Sequence, residues 1–269
     1  MHGSSRARGP SPVPLRPLGA LFALAGAELV SQVGAPAVAL VIDVGVLFAS
    51  LDHAAHRRRA ERSLAIAVAV IALERPLSLA VPSLGFGVAD AYLLLSIPTT
   101  IAVVLAMRTA GYSGRDIGLV ADATVGRMAI VLVPIGLIVG IAIELVARPL
   151  PIFGEVTGTS LGPVIVTALV ATGLVEELLY RGLLQHAAMR RLGPANGVVY
   201  ASALYTSLAW TAWTASTPNG IVVVFLTALA LGTMTRLTGS VIPAVATHAS
   251  LNVGLLLVGP LVTGTSSVN

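Results

Sequence analysis

Residues 173–185, GLVEELLYRGLLQ, set two adjacent glutamates and an arginine into an otherwise apolar stretch. A charge at mid-bilayer depth costs about 2.5–3.5 kcal/mol even on the gentlest scale, so such residues are rare and usually functional. Glu177 and Arg181 are four apart with the acid on the N-terminal side, the favourable order for an intrahelical ion pair. Glu176 lies about 100° away on another helix face, with Tyr180 one turn below it. One glutamate is therefore neutralised locally and the other left free. A desolvated, unpaired carboxylate suits general-base chemistry. The same three charges also fit a purely structural network between helices.

A second polar site lies in SVIPAVATHASLNVG, where His248 and Asn252 are four apart and share a helix face. His248 is the histidine that falls inside an apolar run; His2, His53, His56 and His186 fall outside one or at its edge. An intramembrane histidine serves either as a satisfied interhelical bond or as a functional group. Measured from the cytoplasmic ends of their runs, Glu176 and His248 both come out roughly 12–14 Å deep, so their helices can converge on one cavity.

The elements that must position these residues follow from composition. The chain has 269 residues, 56% hydrophobic and 10% charged, with mean hydropathy +0.91. Soluble domains average about 25% charged residues, so the chain reads as an all-α polytopic membrane protein. Spans are expected near 35–51, 63–82, 86–107, 127–147, 160–185, 197–216, 220–236 and 240–260, about eight with a range of seven to nine. All sixteen basic residues are arginine, and ten lie in alternate gaps (52–62, 108–127, 190–191 and 236) against Arg148 alone in the others. This positive-inside pattern puts the basic gaps in the cytoplasm. It also accounts for the pI near 10.1 without nucleic acid as a partner. The absence of cysteine excludes disulfides, thiol catalysis and thiolate metal sites.

Four regions result. Residues 1–17 form a basic, Pro/Gly/Ser-rich tail expected to be disordered, and 18–157 hold the N-terminal transmembrane helices. Residues 158–260 form a C-terminal core, followed by a tail, 261–269. The stretch 18–34 fits an interfacial helix or a short extra span. Among the remaining charges, Glu74 and Arg75 are adjacent and followed by Pro76, which should break that helix; the two either bond exposed backbone or pair with another span. Asp43, Asp90 and Glu144 are expected near span ends, within reach of water.

The run Glu176-Glu177-x-x-x-Arg181-Gly182, with His248-x-x-x-Asn252 some seventy residues later, resembles the CPBP family. These are the CAAX proteases and bacteriocin-processing enzymes, or ABI-type intramembrane proteases, and the similarity covers roughly residues 160–257. The resemblance implies an all-helical intramembrane endopeptidase with a water-filled cavity opening to the cytoplasmic side. By position, Glu176 would activate the hydrolytic water, while His248 and Asn252 would orient it or stabilise the oxyanion. Glu177 and Arg181 would be the structural pair.

This sequence departs from the family between the motifs, where a phenylalanine and, four residues on, a histidine are expected. Here Tyr205 stands for the phenylalanine and Ala209 for the histidine, and no histidine occurs between residues 187 and 247. Loss of a general acid–base partner costs about 10²–10⁴ in rate. A catalytic zinc needs three protein ligands. With Glu176, His248 and a poor third in Asn252, such a metal would be under-ligated and no cofactor is expected. Trp210 and Trp213 read as interface or packing residues.

Three functions fit. The first is a CAAX-type endopeptidase in the cell membrane, hydrolysing a membrane-associated peptide or protein near the cytoplasmic leaflet. The second is a catalytically impaired pseudo-protease that scaffolds or binds a client, and the third, less favoured, is a transporter using Glu176 and His248 as a proton relay. Membrane lipid is a partner in all three.

Overall fold

The computed structural model describes residues 15–80, 88–147, 161–214, 218–259 and 262. Nine helices hold most of these residues: α1 (Leu15–Gln32), α2 (Pro36–Ala55), α3 (Arg59–Ala80), α4 (Val88–Ala110), α5 (Ala123–Ala147), α6 (Leu161–Leu192), α7 (Pro194–Thr214), α8 (Pro218–Thr238) and α9 (Ile242–Val258). No strand occurs among the described residues. The architecture is an all-α helical membrane bundle, as the composition requires.

Each of the eight candidate spans coincides with one helix, α2 to α9. Among the described residues α2, α4, α5, α6 and α8 are long and apolar enough to cross a membrane, so the count there is five rather than eight. The reasons are local. Helix α3 carries Arg59, Glu61, Arg62, Glu74 and Arg75, α7 is rich in Ser, Thr and Tyr, and α9 has only 17 residues. The doubtful stretch 18–34 is helical as α1, which begins at Leu15 and so takes in the end of the expected tail. Residues 1–14, 261 and 263–269 of the two tails lie outside the described residues.

Helix α3 is the axis of the N-terminal half. Every residue from Ser63 to Ala72 is buried, which is what a helix apolar on all faces does in a larger core. Pro76 does not break α3, which runs on to Ala80. Near a helix end the lost N–H and the ring clash affect few bonds, and Ser78 Oγ donates to the Arg75 carbonyl. The half-buried Arg75 pairs with the buried Glu28 on α1, the interhelical partner that one reading of the sequence allowed.

Helix ends follow glycine and proline. Gly193, at φ 90°, is the single residue between α6 and Pro194 at the start of α7. Its left-handed backbone ends one helix, and the fixed proline φ suits the first turn of the next. Gly239, at φ 67°, ends α8 in the same way.

The basic gaps gather at one end of the bundle. Arg59 Nη2 donates to the Gly111 carbonyl at 3.2 Å, joining the α2–α3 gap to the α4–α5 gap. Arg191 at the end of α6 meets Glu61 at 3.0 Å. Ser240 Oγ, between α8 and α9, donates to the Val120 carbonyl at 2.7 Å. This is the geometry that the alternation of arginines demands.

Helix α9 is carried mainly by α5. Gly136 and Gly140, one turn apart on α5, face the α9 backbone, where a Cβ on either would collide with Thr247, Ser250 or Leu251. Gly254 makes the reciprocal approach to Leu137. Small residues at this spacing let transmembrane helix backbones touch, and that contact fixes the height of His248.

Candidate functional site

Helix α6 is unusually wound. Its hydrogen bonds skip to the fifth residue over Thr167–Val175 and Leu178–Leu184, on either side of the glutamates. The Glu176 N–H, for example, donates to the Ala171 carbonyl. Such π-type turns are found frequently at functional sites. The helix extends to Leu192 rather than 185, so Glu176 is near its middle. The α4–α5 gap rises to meet it: a Cβ on Gly182 would lie 3.1 Å from the Ile117 carbonyl oxygen. Gly118 in turn accepts the Val241 N–H at 2.9 Å, just before α9 begins. Glu176 is six residues from Gly182 and His248 six residues into α9, and the Tyr205 hydroxyl lies 3.3 Å from one side chain and 3.4 Å from the other. The two side chains therefore share one depth.

The two glutamates face different neighbours. Glu177 is fully buried. Its Oε2 lies 3.5 Å from Arg181 Nε, the i,i+4 pair the spacing predicts. Its Oε1 lies 2.8 Å from His248 Nδ1 on α9, a contact the spacing does not predict. Nδ1–H donating to a carboxylate fixes the tautomer and turns Nε2 toward the bundle interior, the usual way an outer acid orients a working imidazole. Glu177 thus joins α6 to α9 and holds both a cation and a ring.

Glu176 faces α7, with Glu74 on α3 and Tyr92 on α4 close enough to interact with it electrostatically. Tyr205 Oη is 3.3 Å from Glu176 Oε2 and 3.4 Å from His248 Nε2. The connection between acid and imidazole expected from the sequence therefore runs through a tyrosine hydroxyl. The ring of Tyr205 is held from both sides. The Arg181 guanidinium lies over it with Cζ 4.7 Å from the centroid, and Tyr180 meets it edge-on at 5.0 Å. A desolvated cation–π contact of this kind contributes about 2 kcal/mol.

Asn252 reaches elsewhere. Its Nδ2 donates to Thr172 Oγ1 at 2.8 Å, and Thr172 donates on to the Ala168 carbonyl at 3.1 Å. Tyr205, His248 and Asn252 nevertheless share the wall of one cavity of about 60 Å³ with Val223, Thr227 and Leu251. That is room for a few water molecules. Ala209 is one turn beyond Tyr205 on α7 and brings no polar atom. The side chains of Trp210 and Trp213 lie outside the described residues.

Three neighbours were not legible in the motifs. Thr172 precedes Glu176 by four residues, so its i,i+4 position was the available signal. Glu74 shares no spacing with the site and arrives from α3. Gln185 extends the Glu177–Arg181 face by another turn, and its Nε2 donates to the Gly232 carbonyl on α8 at 2.9 Å. Two expectations about other acids fail. Asp43 and Glu144 are buried, at 2% and 5% exposure, rather than at watery span ends. Helix α2 runs to Ala55, four residues past the expected limit, while α5 ends at Ala147 as expected and Glu144 is covered by Gly259 beyond α9. Among the described residues no three His, Asp or Glu side chains gather closely enough to hold a metal ion.

A membrane bundle that buries Glu177, Arg181, His248 and Asn252 and sets a partly buried Glu176 and Tyr205 beside them has the general form of an intramembrane polar site. Residues 158–254 match the family model of the type II CAAX prenyl endopeptidase Rce1-like proteins, within the CPBP and CAAX-protease group. The match contains every site residue named above except those on α3 and α4, and the protein is an integral membrane protein. Comparison with curated proteins and with solved structures gives no match.

Proposed function

We propose that the protein is a multi-pass endopeptidase of the cell membrane, of the CAAX-protease type, cutting a membrane-associated peptide near the cytoplasmic leaflet. The observation that carries this reading is the hydrogen-bonded series Glu176, Tyr205, His248 and Glu177, drawn from three helices inside the segment that matches the family. Glu176 Oε2 takes a proton from water as its oxygen attacks the scissile carbonyl carbon. The Nε2–H of His248 in its doubly protonated form, with Glu177 on Nδ1, and the Asn252 Nδ2–H not used on Thr172 donate to the carbonyl oxygen as negative charge develops on it. Glu176 then returns the proton to the leaving amine as the C–N bond breaks.

Tyr205 takes over part of the work that a histidine at position 209 would do. The position where phenylalanine is expected carries a hydroxyl in place, within hydrogen-bond range of both the base and the imidazole. It orients the Glu176 carboxylate when that group is charged, which a phenylalanine cannot do. Arg181 remains a structural cation, holding Glu177 on one side and the Tyr205 ring on the other.

The test is a proteoliposome assay on a library of membrane-inserted peptides. Wild type should cleave and Glu176→Gln should be slower by about 10²–10⁴. A folded wild type that cleaves none of the peptides, yet retains a client equally well with Glu176→Gln, would replace this reading by the scaffold. The apolar side chain at Ala209 is the observation that favours that second reading.

A further inference from the structure

A separate crevice of about 980 Å³ opens at the basic end of the bundle, between α1, α2 and α3. It shares no residue with the site around Glu176 and does not depend on the peptidase reading. Along α2 its lining runs from His53 to Ile42, eleven residues or about 16 Å of rise. That is about half of a hydrocarbon core about 30 Å thick, the depth of one leaflet. Small residues make the space: Ala20 and Ala23 on α1, Gly45 and Ala49 on α2, with Leu64 and Val68 on α3 behind them. A Cβ added at Gly45 would meet nothing within 4 Å.

The mouth has the opposite chemistry. Arg16, His53, Arg57 and Arg191 surround it, with Asp52 and Glu61. The acids are already engaged. Glu61 lies between Arg191 at 3.0 Å and Arg57 at 4.0 Å, and Asp52 pairs with His56 at 3.4 Å. Arg16 is bonded to His53 Nδ1 at 3.2 Å and to no carboxylate among the described residues. A guanidinium left free for an anion, above an apolar slot one leaflet deep, matches a charged headgroup over a hydrocarbon chain. Guanidinium forks bind phosphate oxygens in pairs.

We propose that this crevice binds an anionic phospholipid of the leaflet at the basic end, with one acyl chain between α1, α2 and α3 and the phosphate at Arg16. Cytoplasmic leaflets carry anionic lipid, and each nearby arginine strengthens its binding about fivefold.

Native mass spectrometry and thermal unfolding of the purified full chain test this. The probes are phosphatidylglycerol, phosphatidylcholine with the same acyl chains, and inorganic phosphate. Phosphatidylglycerol should bind at least fivefold more tightly than phosphatidylcholine and raise the unfolding midpoint, and phosphate alone should do neither. Arg16→Gln, at an exposed position, should remove the preference for the anionic lipid by about fivefold. Gly45→Leu should displace lipid of either kind by filling the slot, with unchanged helicity by circular dichroism. Equal binding of the two lipids, an unchanged preference in Arg16→Gln, undiminished binding in folded Gly45→Leu, or phosphate matching phosphatidylglycerol would each overturn the proposal.

Discussion

Replacing Tyr205 by phenylalanine removes one hydroxyl and leaves the ring. The ring keeps its place because Arg181 lies over it and Tyr180 against its edge, and neither contact needs the oxygen. What disappears is the link at 3.3 Å to Glu176 and at 3.4 Å to His248. A hydrogen bond to a charged group contributes about 1.5–3 kcal/mol. Both distances are long for an O–H donor, which favours the low end, about 1.5 kcal/mol or roughly tenfold in rate. Steady-state cleavage by Tyr205→Phe in proteoliposomes should therefore fall about tenfold in kcat/KM, with the unfolding midpoint within a degree or two of wild type. Tyr205→Ala, by contrast, also strips the ring from the buried guanidinium and should cost about 3–5 kcal/mol of stability. Full activity in a folded Tyr205→Phe would refute the catalytic place given to the hydroxyl. A large loss of stability in the same variant would make the hydroxyl structural instead.

Glu177→Gln leaves Arg181 buried without its acid and frees the His248 ring, so it should destabilise the fold by about 3–5 kcal/mol, measured by thermal or denaturant unfolding. Glu176→Gln should keep the wild-type midpoint, and the opposite ranking would reverse the roles of the two glutamates. Ala209→His adds an imidazole one turn from Tyr205 and should raise turnover, by up to about 10²–10⁴ where its geometry suits. The gain should vanish in the double variant with Glu176→Gln; a folded Ala209→His with no cleavage at all favours the scaffold. Cysteines introduced singly at residues 57, 113 and 193 of this cysteine-free chain should all be labelled by an impermeant maleimide from the cytoplasmic side, and labelling of any from outside would overturn the orientation.

The eight apolar runs, the arginine-rich gaps between them and the two motifs on α6 and α9 were all legible in the chain. Apolar length and charge are local properties, and a membrane rewards them segment by segment. The different faces of Glu176 and Glu177 were legible for the same reason, since helical periodicity separates neighbours whatever surrounds them. What each face meets was not local. Glu177 finds His248 across 71 residues of chain, and Tyr205 joins Glu176 to His248 from a third helix. Asn252 turns to Thr172, 80 residues away. These partners were set by how closely α9 rides on the glycines of α5 and by how far the α4–α5 gap rises toward Gly182. Packing of that kind is decided by the shapes of several helices at once. The sequence therefore determined that Glu176, Glu177, Arg181, His248 and Asn252 lie within apolar helices, and the tertiary structure decided which of them touch.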